Sequence, residues 1–121
     1  MVIMDFSRQS GKKILIVEKT KRSYVNMEDI THISCDRYVS IIHLVDGTKK
    51  DSTAQQFNEF EKKLEKYGFW RLNRKTLANG KHFSEDQTVN RKKHIMVYNT
   101  DILVSRRKSS QLENKLKECD E

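Results

Sequence analysis

The sequence predicts a mainly β, α+β domain, and three observations lead to that prediction. Short runs rich in Val, Ile, Phe and Tyr alternate with polar turn residues along most of the chain. The pair Asp46-Gly47 stands between two such runs and is the strongest hairpin signal. Residues 53–67 are the one mid-chain segment with a clear helical period. A chain of 121 residues has room for one domain with a core of its own.

The first half of the chain is predicted to consist of short strands and tight turns. Residues 1–12 have no clear period and are expected to form a loosely held N-terminal arm. Residues 27–30 are expected to form a single helical turn that Asn26 can cap. Tight turns at Asp36-Arg37 and Asp46-Gly47 join the later strands. The predicted strands of this half are 13–17, 24–26, 33–35, 38–45 and 48–51.

The predicted helix covers residues 53–67. Either Ser52 or Thr53 is suited to cap its N-terminus, and Gly68 stands where the helix should end. Apolar side chains recur within it every three or four residues: Phe57, Phe60, Leu64 and Tyr67.

The second half returns to short strands and ends in a predicted helix. Asn79-Gly80 is a turn signal between two of these strands. Ser105 is suited to cap a C-terminal helix whose apolar edge is Leu112 and Leu116. The predicted strands are 69–72, 81–88, 94–98 and 102–105, and residues 76–80 lie between the first two. The domain is therefore expected to cover residues 13–117, with 118–121 as a tail.

Positive charge is concentrated in one part of the chain. Residues 1–61 have no net charge, residues 62–108 carry +9, and residues 109–121 carry −2. Such a concentrated field favours a polyanionic partner. No segment approaches the roughly 20 apolar residues that cross a bilayer, and no signal peptide follows Met1. These features, with two cysteines that are both expected to be free thiols, predict a soluble cytoplasmic domain.

The sequence gives little support for catalysis, so we expect no enzymatic activity, no cofactor and no metal. The four histidines are scattered, and no cysteine clusters with them. There is no Gly-rich phosphate loop and no nucleophile elbow. His43 alternates with apolar residues and is expected to be a packed or half-exposed strand residue. Cys35 is expected to be buried, and Cys119 lies in a polar tail.

The basic residues of the second half fall at junctions between predicted elements. Arg71, Arg74 and Lys75 surround a break after a strand, and residues 106–108 lie where the last strand meets the terminal helix. Arginines on such loops can reach guanine O6 and N7, while lysines hold phosphates. The arginines also have a structural alternative, an ion pair within the protein. Arg71 could pair with Asp36 or Glu65, and Arg107 could pair with Glu113.

Several segments resemble the LytTR DNA-binding family. One block is similar to the family signature, which runs from a helix that ends in Gly-Phe through an Arg and a His-Arg-Ser triplet to Val-Asn. In this chain the block is Leu64-Glu65-Lys66-Tyr67-Gly68-Phe69-Trp70-Arg71-Leu72-Asn73-Arg74-Lys75-Thr76-Leu77-Ala78-Asn79. The segment Leu103-Val104-Ser105-Arg106-Arg107-Lys108 resembles the family's closing Val-Ser-Arg-Arg. Residues 27–33 resemble its opening, and Asp46-Gly47 its central hairpin. Together these matches cover about residues 13–117.

The resemblance implies an elongated, mainly β fold with a sheet of about ten short strands, one mid-chain helix and a C-terminal helix. It implies a bacterial transcription regulator, the output half of a two-component response regulator or a stand-alone domain. Such domains insert loops into successive major grooves of double-stranded DNA, often at direct repeats that place two copies together. A receiver domain would then be missing from this chain. By position, the implied base-reading residues are Arg37 or Tyr38, Arg74 and Arg106, and the implied phosphate or orienting contacts are Arg71, Asn73, Lys75, Arg107 and Lys108.

Two residues depart from the family pattern. Asn73 replaces the usual His, and Lys75 replaces the usual Ser. Asn can still donate and accept a hydrogen bond, while Lys adds a charge that should strengthen phosphate binding. The DNA sequence that this chain prefers therefore cannot be copied from the family.

Two other classes of function remain open at this stage. An RNA-binding protein would need exposed aromatic side chains that stack on unpaired bases. A protein-interaction module would use the terminal helix, with Leu112 and Leu116, to dock a partner or a second copy.

Overall fold

Ten strands and one α-helix make up the part of the chain that the computed structural model describes, which is residues 9–89 and 92–105. The strands are β1 Lys13–Val17, β2 Arg22–Asn26, β3 Ile30–Asp36, β4 Val39–Leu44, β5 Lys49–Ser52, β6 Phe69–Asn73, β7 Thr76–Asn79, β8 Phe83–Val89, β9 Lys92–Val97 and β10 Thr100–Val104. The helix, α1, is Phe57–Leu64. The mainly β prediction with one mid-chain helix is confirmed. The predicted C-terminal helix, with Leu112 and Leu116, and the tail 118–121 lie outside the described residues.

The strands form three antiparallel sheets rather than the single sheet that the resemblance implied. β1 and β2 form a hairpin, β8, β9 and β10 form a three-stranded sheet, and the central sheet has the order β5-β4-β3-β7-β6. Strand alternation gives the central sheet two apolar faces, because Leu77 points to one core and its neighbour Ala78 to the other. The first core includes β1, β2 and α1, and the second includes β9 and β10. The central sheet is thus covered on both sides.

The helix is shorter than predicted and begins at Phe57 rather than residue 53. Ser52 is buried at the end of β5, where its hydroxyl contacts the side chain of Gln55 instead of capping a helix. The amide of Gln55 also bonds the backbone of β1, accepting from the Val17 N–H at 2.8 Å and donating to the Leu15 carbonyl at 2.8 Å. These bonds hold the segment that contains Gln55 against β1 and outside the helix. A 3-10 turn follows the helix and ends at Gly68, whose φ of 89° is left-handed as expected.

Two of the smaller turns also differ in detail from the prediction. Residues 27–29 form the expected single turn, but the Asn26 side chain makes no capping hydrogen bond. Asn79-Gly80 opens a 3-10 turn that leads from the central sheet to β8. The hairpin at Asp46-Gly47 is confirmed, and its Asp46 carboxylate accepts the Thr48 N–H at 2.9 Å.

Gln9 lies within the predicted N-terminal arm, yet its side chain is fully buried. Its Nε2 donates to the Tyr67 carbonyl at 2.6 Å and to Asn79 Oδ1 at 2.9 Å. Asn79 also donates to the carbonyl of Ile30 at 2.9 Å. Because an unpaired amide in the interior is costly, these bonds fix the start of the described chain to the central sheet.

Candidate nucleic-acid interface

Two turns of the central sheet lie side by side at one end of the sheet. The turn at residues 37–38 joins β3 to β4, and the turn at residues 74–75 joins β6 to β7. β3 and β7 are antiparallel neighbours, about 4.8 Å apart as in any sheet. The backbone N–H of Cys35 donates to the carbonyl of Lys75 at 2.8 Å. This bond brings the two turns together at the end of the sheet that we name the loop edge.

The side chains of both turns point into solvent. Tyr38 is 90% exposed, and Arg37, Arg74 and Lys75 are also exposed. Arg37 adopts a left-handed backbone with a φ of 57°, which turns the chain sharply at the tip of the hairpin. None of the side chains of Arg37, Arg74 and Lys75 forms an ion pair or hydrogen bond with a described side chain, in residues 9–84 or 92–105. Their charges are therefore available to a ligand.

The last described strand ends beside these turns. The backbone N–H of Ser105 donates to the carbonyl of Leu72 at 2.9 Å, and the side chain of Asn73 donates to the carbonyl of Leu103 at 2.6 Å. The end of β10 therefore lies against the end of β6 at the loop edge. Arg106, Arg107 and Lys108 follow Ser105 in the sequence and lie outside the described residues.

Asn73 connects two of the segments that meet at the loop edge. Its Nδ2 donates to Leu103 on β10, and its Oδ1 accepts the backbone N–H of Lys75 at 2.9 Å. The second bond closes the turn locally, as Asn side chains often do. Both ends of the amide have a partner within the protein, an arrangement that holds the turn in place.

Arg71 supports the same turn from inside. Its Nη2 donates to the carbonyl of Arg74 at 2.9 Å, and its Nε donates to the carbonyl of Asn73 at 3.3 Å. Its Nη1 lies 3.2 Å from Glu61 Oε1 on α1, and its guanidinium lies 5.3 Å from the ring centre of Phe57. The alternative pairing with Asp36 or Glu65 was wrong, because Glu61 is on the helix face that meets β6.

Comparison with known proteins identifies the family. The model of the LytTr DNA-binding domain matches residues 20–117, most of the chain. The chain belongs to the LytTR family. Among solved structures, this LytTR domain is similar to the LytTr DNA-binding domain of a methyl-accepting/DNA response regulator from Bacillus cereus. The TM-score is 0.72 at 17% identity, over 88% of this chain and 97% of that one. No curated protein sequence matches the chain.

Family membership makes this LytTR chain a DNA-binding domain and confirms the resemblance on which the sequence analysis relied. The loop edge brings together turns 37–38 and 74–75, two of the three places where the resemblance put DNA contacts. The third place, residues 106–108, follows β10 in the sequence and lies outside the described residues. No helix in the described ranges is long and apolar enough to cross a membrane. Within the same ranges, no group of His, Cys, Asp and Glu is arranged to hold a metal ion.

A stacked pair of histidines was missed by the sequence analysis. His32 on β3 and His43 on β4 are cross-strand partners, with ring centres 3.9 Å apart and an angle of 11° between the planes. Each ring is hydrogen-bonded to a neighbouring hydroxyl, that of Thr31 at 2.9 Å and that of Ser34 at 2.8 Å. Burial, with a smaller effect of His43, lowers the pKa of His32 to about 4. Aligning the two predicted strands in their hairpin register would have placed His32 opposite His43.

Cys35 is partly buried rather than buried as expected, and its thiol donates to the Arg37 carbonyl at 3.3 Å. Its position at the end of β3 explains the difference, since the strand leaves the core there. Cys119 lies outside the described residues.

Proposed function

We propose that this LytTR domain binds double-stranded DNA with sequence specificity by inserting the segments of its loop edge into the major groove. The observation that supports this most is the meeting of two turns and the end of β10, with three exposed cations that have no partner among the described residues. In this proposal the DNA-binding unit is residues 13–117, and it has no catalytic role.

Each side chain of the loop edge has a role that suits its chemistry. Arginine can bond guanine O6 and N7 together, and a tyrosine ring can contact a thymine methyl group. We therefore assign base contacts to Arg37, Tyr38, Arg74 and Arg106. Lysine acts as a point charge toward phosphate, and arginine can also bond phosphate oxygens, so we assign phosphate contacts to Lys75, Arg107 and Lys108.

The resemblance implied either a phosphate contact or an orienting role for Arg71 and Asn73, and their contacts favour the orienting role. The guanidinium of Arg71 and the amide of Asn73 are bonded to Glu61, Leu103 and the backbone of turn 74–75. Both are positioning residues in this proposal. They hold the turn in a fixed shape, so less conformational entropy is lost when DNA binds.

The biological role proposed is transcriptional regulation in a bacterium. The domain would act as the output half of a response regulator, with a receiver domain supplied by a longer protein, or as a stand-alone regulator. Two copies would occupy direct repeats, each reading successive major grooves.

Selection from a random double-stranded DNA pool at near-physiological salt tests the proposal. The variant Arg74→Ala/Arg106→Ala removes two base-reading side chains. A matched control, Lys62→Ala/Lys66→Ala, removes the same charge from exposed positions on and after α1. A motif should emerge for the natural chain and the control and fade for the variant. Retention that is salt-sensitive but blind to sequence in all three proteins would contradict specific readout, and a preference for unpaired RNA would favour an RNA-binding role.

A further inference from the structure

A second basic surface lies between β1 and the end of the helix. It is a cleft of about 470 Å³ that we name the lysine cleft. Its rim carries the side chains Lys13, Lys62, Lys63 and Lys66, and its floor is made by Ile14, Leu15, Met27 and Tyr67.

The floor of the lysine cleft is apolar and fixed. Ile14 and Met27 belong to the first core and are 7% and 6% exposed. Leu15 is partly exposed beside them. The ring of Tyr67 lies 5.2 Å from the ammonium of Lys66 on the rim, a contact that orients the ring. The cleft therefore offers a ligand both apolar contact and positive charge.

The four lysines of the rim have no acidic partner among the side chains that the structure describes, those of residues 9–84 and 92–105. Glu28 pairs with Lys81 at 2.6 Å and Glu61 pairs with Arg71 at 3.2 Å, so neither of these two carboxylates is bonded to the rim. Covering these lysines with a neutral apolar partner would desolvate their charges without compensation. A ligand that covers the cleft must therefore bring negative charge.

The lysine cleft lies away from the loop edge. Lys66 and Tyr67 precede β6, whose other end is Asn73. At about 3.3 Å per residue, the two ends of β6 are about 13 Å apart. The helix runs in the direction opposite to β6. It begins with Phe57 near Arg71, and its last turn lies at the cleft. A ligand in the cleft can therefore be present while the loop edge holds DNA.

We propose that the lysine cleft docks an acidic, amphipathic segment of a partner protein. Carboxylates of the segment would pair with the rim lysines, and apolar side chains at helical spacing would contact the floor. A phosphate backbone meets the charge requirement but offers no apolar group for Leu15, Met27 and Tyr67, which favours a protein partner over a second stretch of DNA. Binding of the cleft ligand and of DNA at the same time rests on the proposed function, whereas binding of the acidic segment to the cleft does not.

Binding of a synthetic peptide tests the proposal. The probe is a labelled peptide with Leu at three- and four-residue spacing among Glu and Asp, titrated into the full chain and followed by fluorescence anisotropy. One control peptide has Ser in place of every Leu, and another has Lys in place of every acidic residue. The protein variant is Lys62→Glu/Lys63→Glu, and its matched control is Lys19→Glu/Lys92→Glu, two exposed lysines outside the cleft. Circular dichroism verifies that both variants are folded.

We expect the probe to bind the natural chain and the control variant, with affinity lowered about tenfold or more in the cleft variant. Both control peptides should bind more weakly than the probe. A saturating DNA duplex should leave the probe bound, and the cleft variant should bind duplex as the control variant does.

Four results would overturn the proposal. Equal loss in both protein variants would indicate general charge attraction, and equal binding of the Ser peptide would exclude the apolar floor. Displacement of the probe by duplex would assign the cleft to DNA. Tighter probe binding after removal of residues 109–121 would show that the chain's own acidic segment occupies the cleft. If neither the natural chain nor either variant bound duplex DNA, that result would contradict the proposed function and leave the docking proposal standing.

Discussion

Asn73 and Leu103 are joined by a 2.6 Å hydrogen bond, from the side-chain amide of the first to the backbone carbonyl of the second. The same amide accepts the Lys75 N–H, so one side chain connects turn 74–75 to β10. Asn73 stands where the LytTR pattern usually has His. The bond gives this departure a structural role, because it fixes turn 74–75 and the end of β10 relative to each other.

Replacing Asn73 by Asp should weaken specific DNA binding about tenfold and lower the free energy of unfolding by about 1 kcal/mol. Asp retains the acceptor for Lys75 but loses the donor to Leu103, so the turn survives and its connection to β10 is lost. Binding isotherms and urea denaturation measure the two effects. Asn99→Asp, in the exposed turn before β10, makes the same chemical change as a control. Equal effects of the two substitutions would show that added negative charge alone is responsible.

Replacing Arg71 by Gln should destabilise the domain by about 1 kcal/mol, since it removes an ion pair and two bonds to the turn backbone. The salt dependence of DNA binding should keep its slope, because the guanidinium is held by Glu61 and not by phosphate. The double variant with Glu61→Gln should be less destabilised than the two single losses added together. A slope that falls by about one unit for Arg71→Gln would instead restore the phosphate role.

Replacing Arg74 by Ala should cost roughly 1–3 kcal/mol of affinity for the selected duplex and less for random DNA. The side chain is exposed and has no partner in the described part of the chain, so its removal should leave stability nearly unchanged. Parallel titrations of the two duplexes measure the difference. Equal losses on both would remove Arg74 from the base-reading set.

Replacing Lys75 by Ala should weaken binding to selected and random duplex about equally. The salt slope of log Kd should fall by about one unit, because one counterion fewer is released from the DNA. Titrations from low to high salt measure this slope. An unchanged slope would mean that Lys75 does not contact phosphate.

Acid should destabilise the domain through His32. Its pKa is lowered from 6.5 to about 4, so the unfolded chain takes up a proton more readily than the folded one between these values. The stabilising effect of the neutral ring is complete above about pH 6.5 and should decrease by up to about 3 kcal/mol as the pH falls toward 4. Urea denaturation of the natural chain and of His32→Gln measures this difference. Parallel stability curves for the two proteins across this range would contradict it.

Much of the fold could be predicted from local sequence patterns. Alternating apolar residues and the turn at Asp46-Gly47 depend on neighbours in the chain, and the predicted strands agree with the structure to within a few residues. The helix start was wrong because Gln55 bonds β1, about forty residues earlier. No local pattern reports such a contact.

The candidate site, too, could be predicted from the sequence only in part. The exposed cations of the two turns were found by charge and by the LytTR resemblance. Their supporting contacts were not, since Asn73 meets Leu103 and Arg71 meets Glu61 only in the folded chain. The stacking of His32 on His43 likewise depends on the register of β3 and β4.

Guanine methylation interference on the selected duplex tests the central claim most directly, because N7 lies in the major groove. We expect methylation of a few guanines to prevent binding by the natural chain, with one of them no longer interfering for Arg74→Ala. That result would place Arg74 at a defined base in the major groove. Binding that tolerates methylation at every guanine N7 and is sensitive only to adenine N3 in the minor groove would contradict the account.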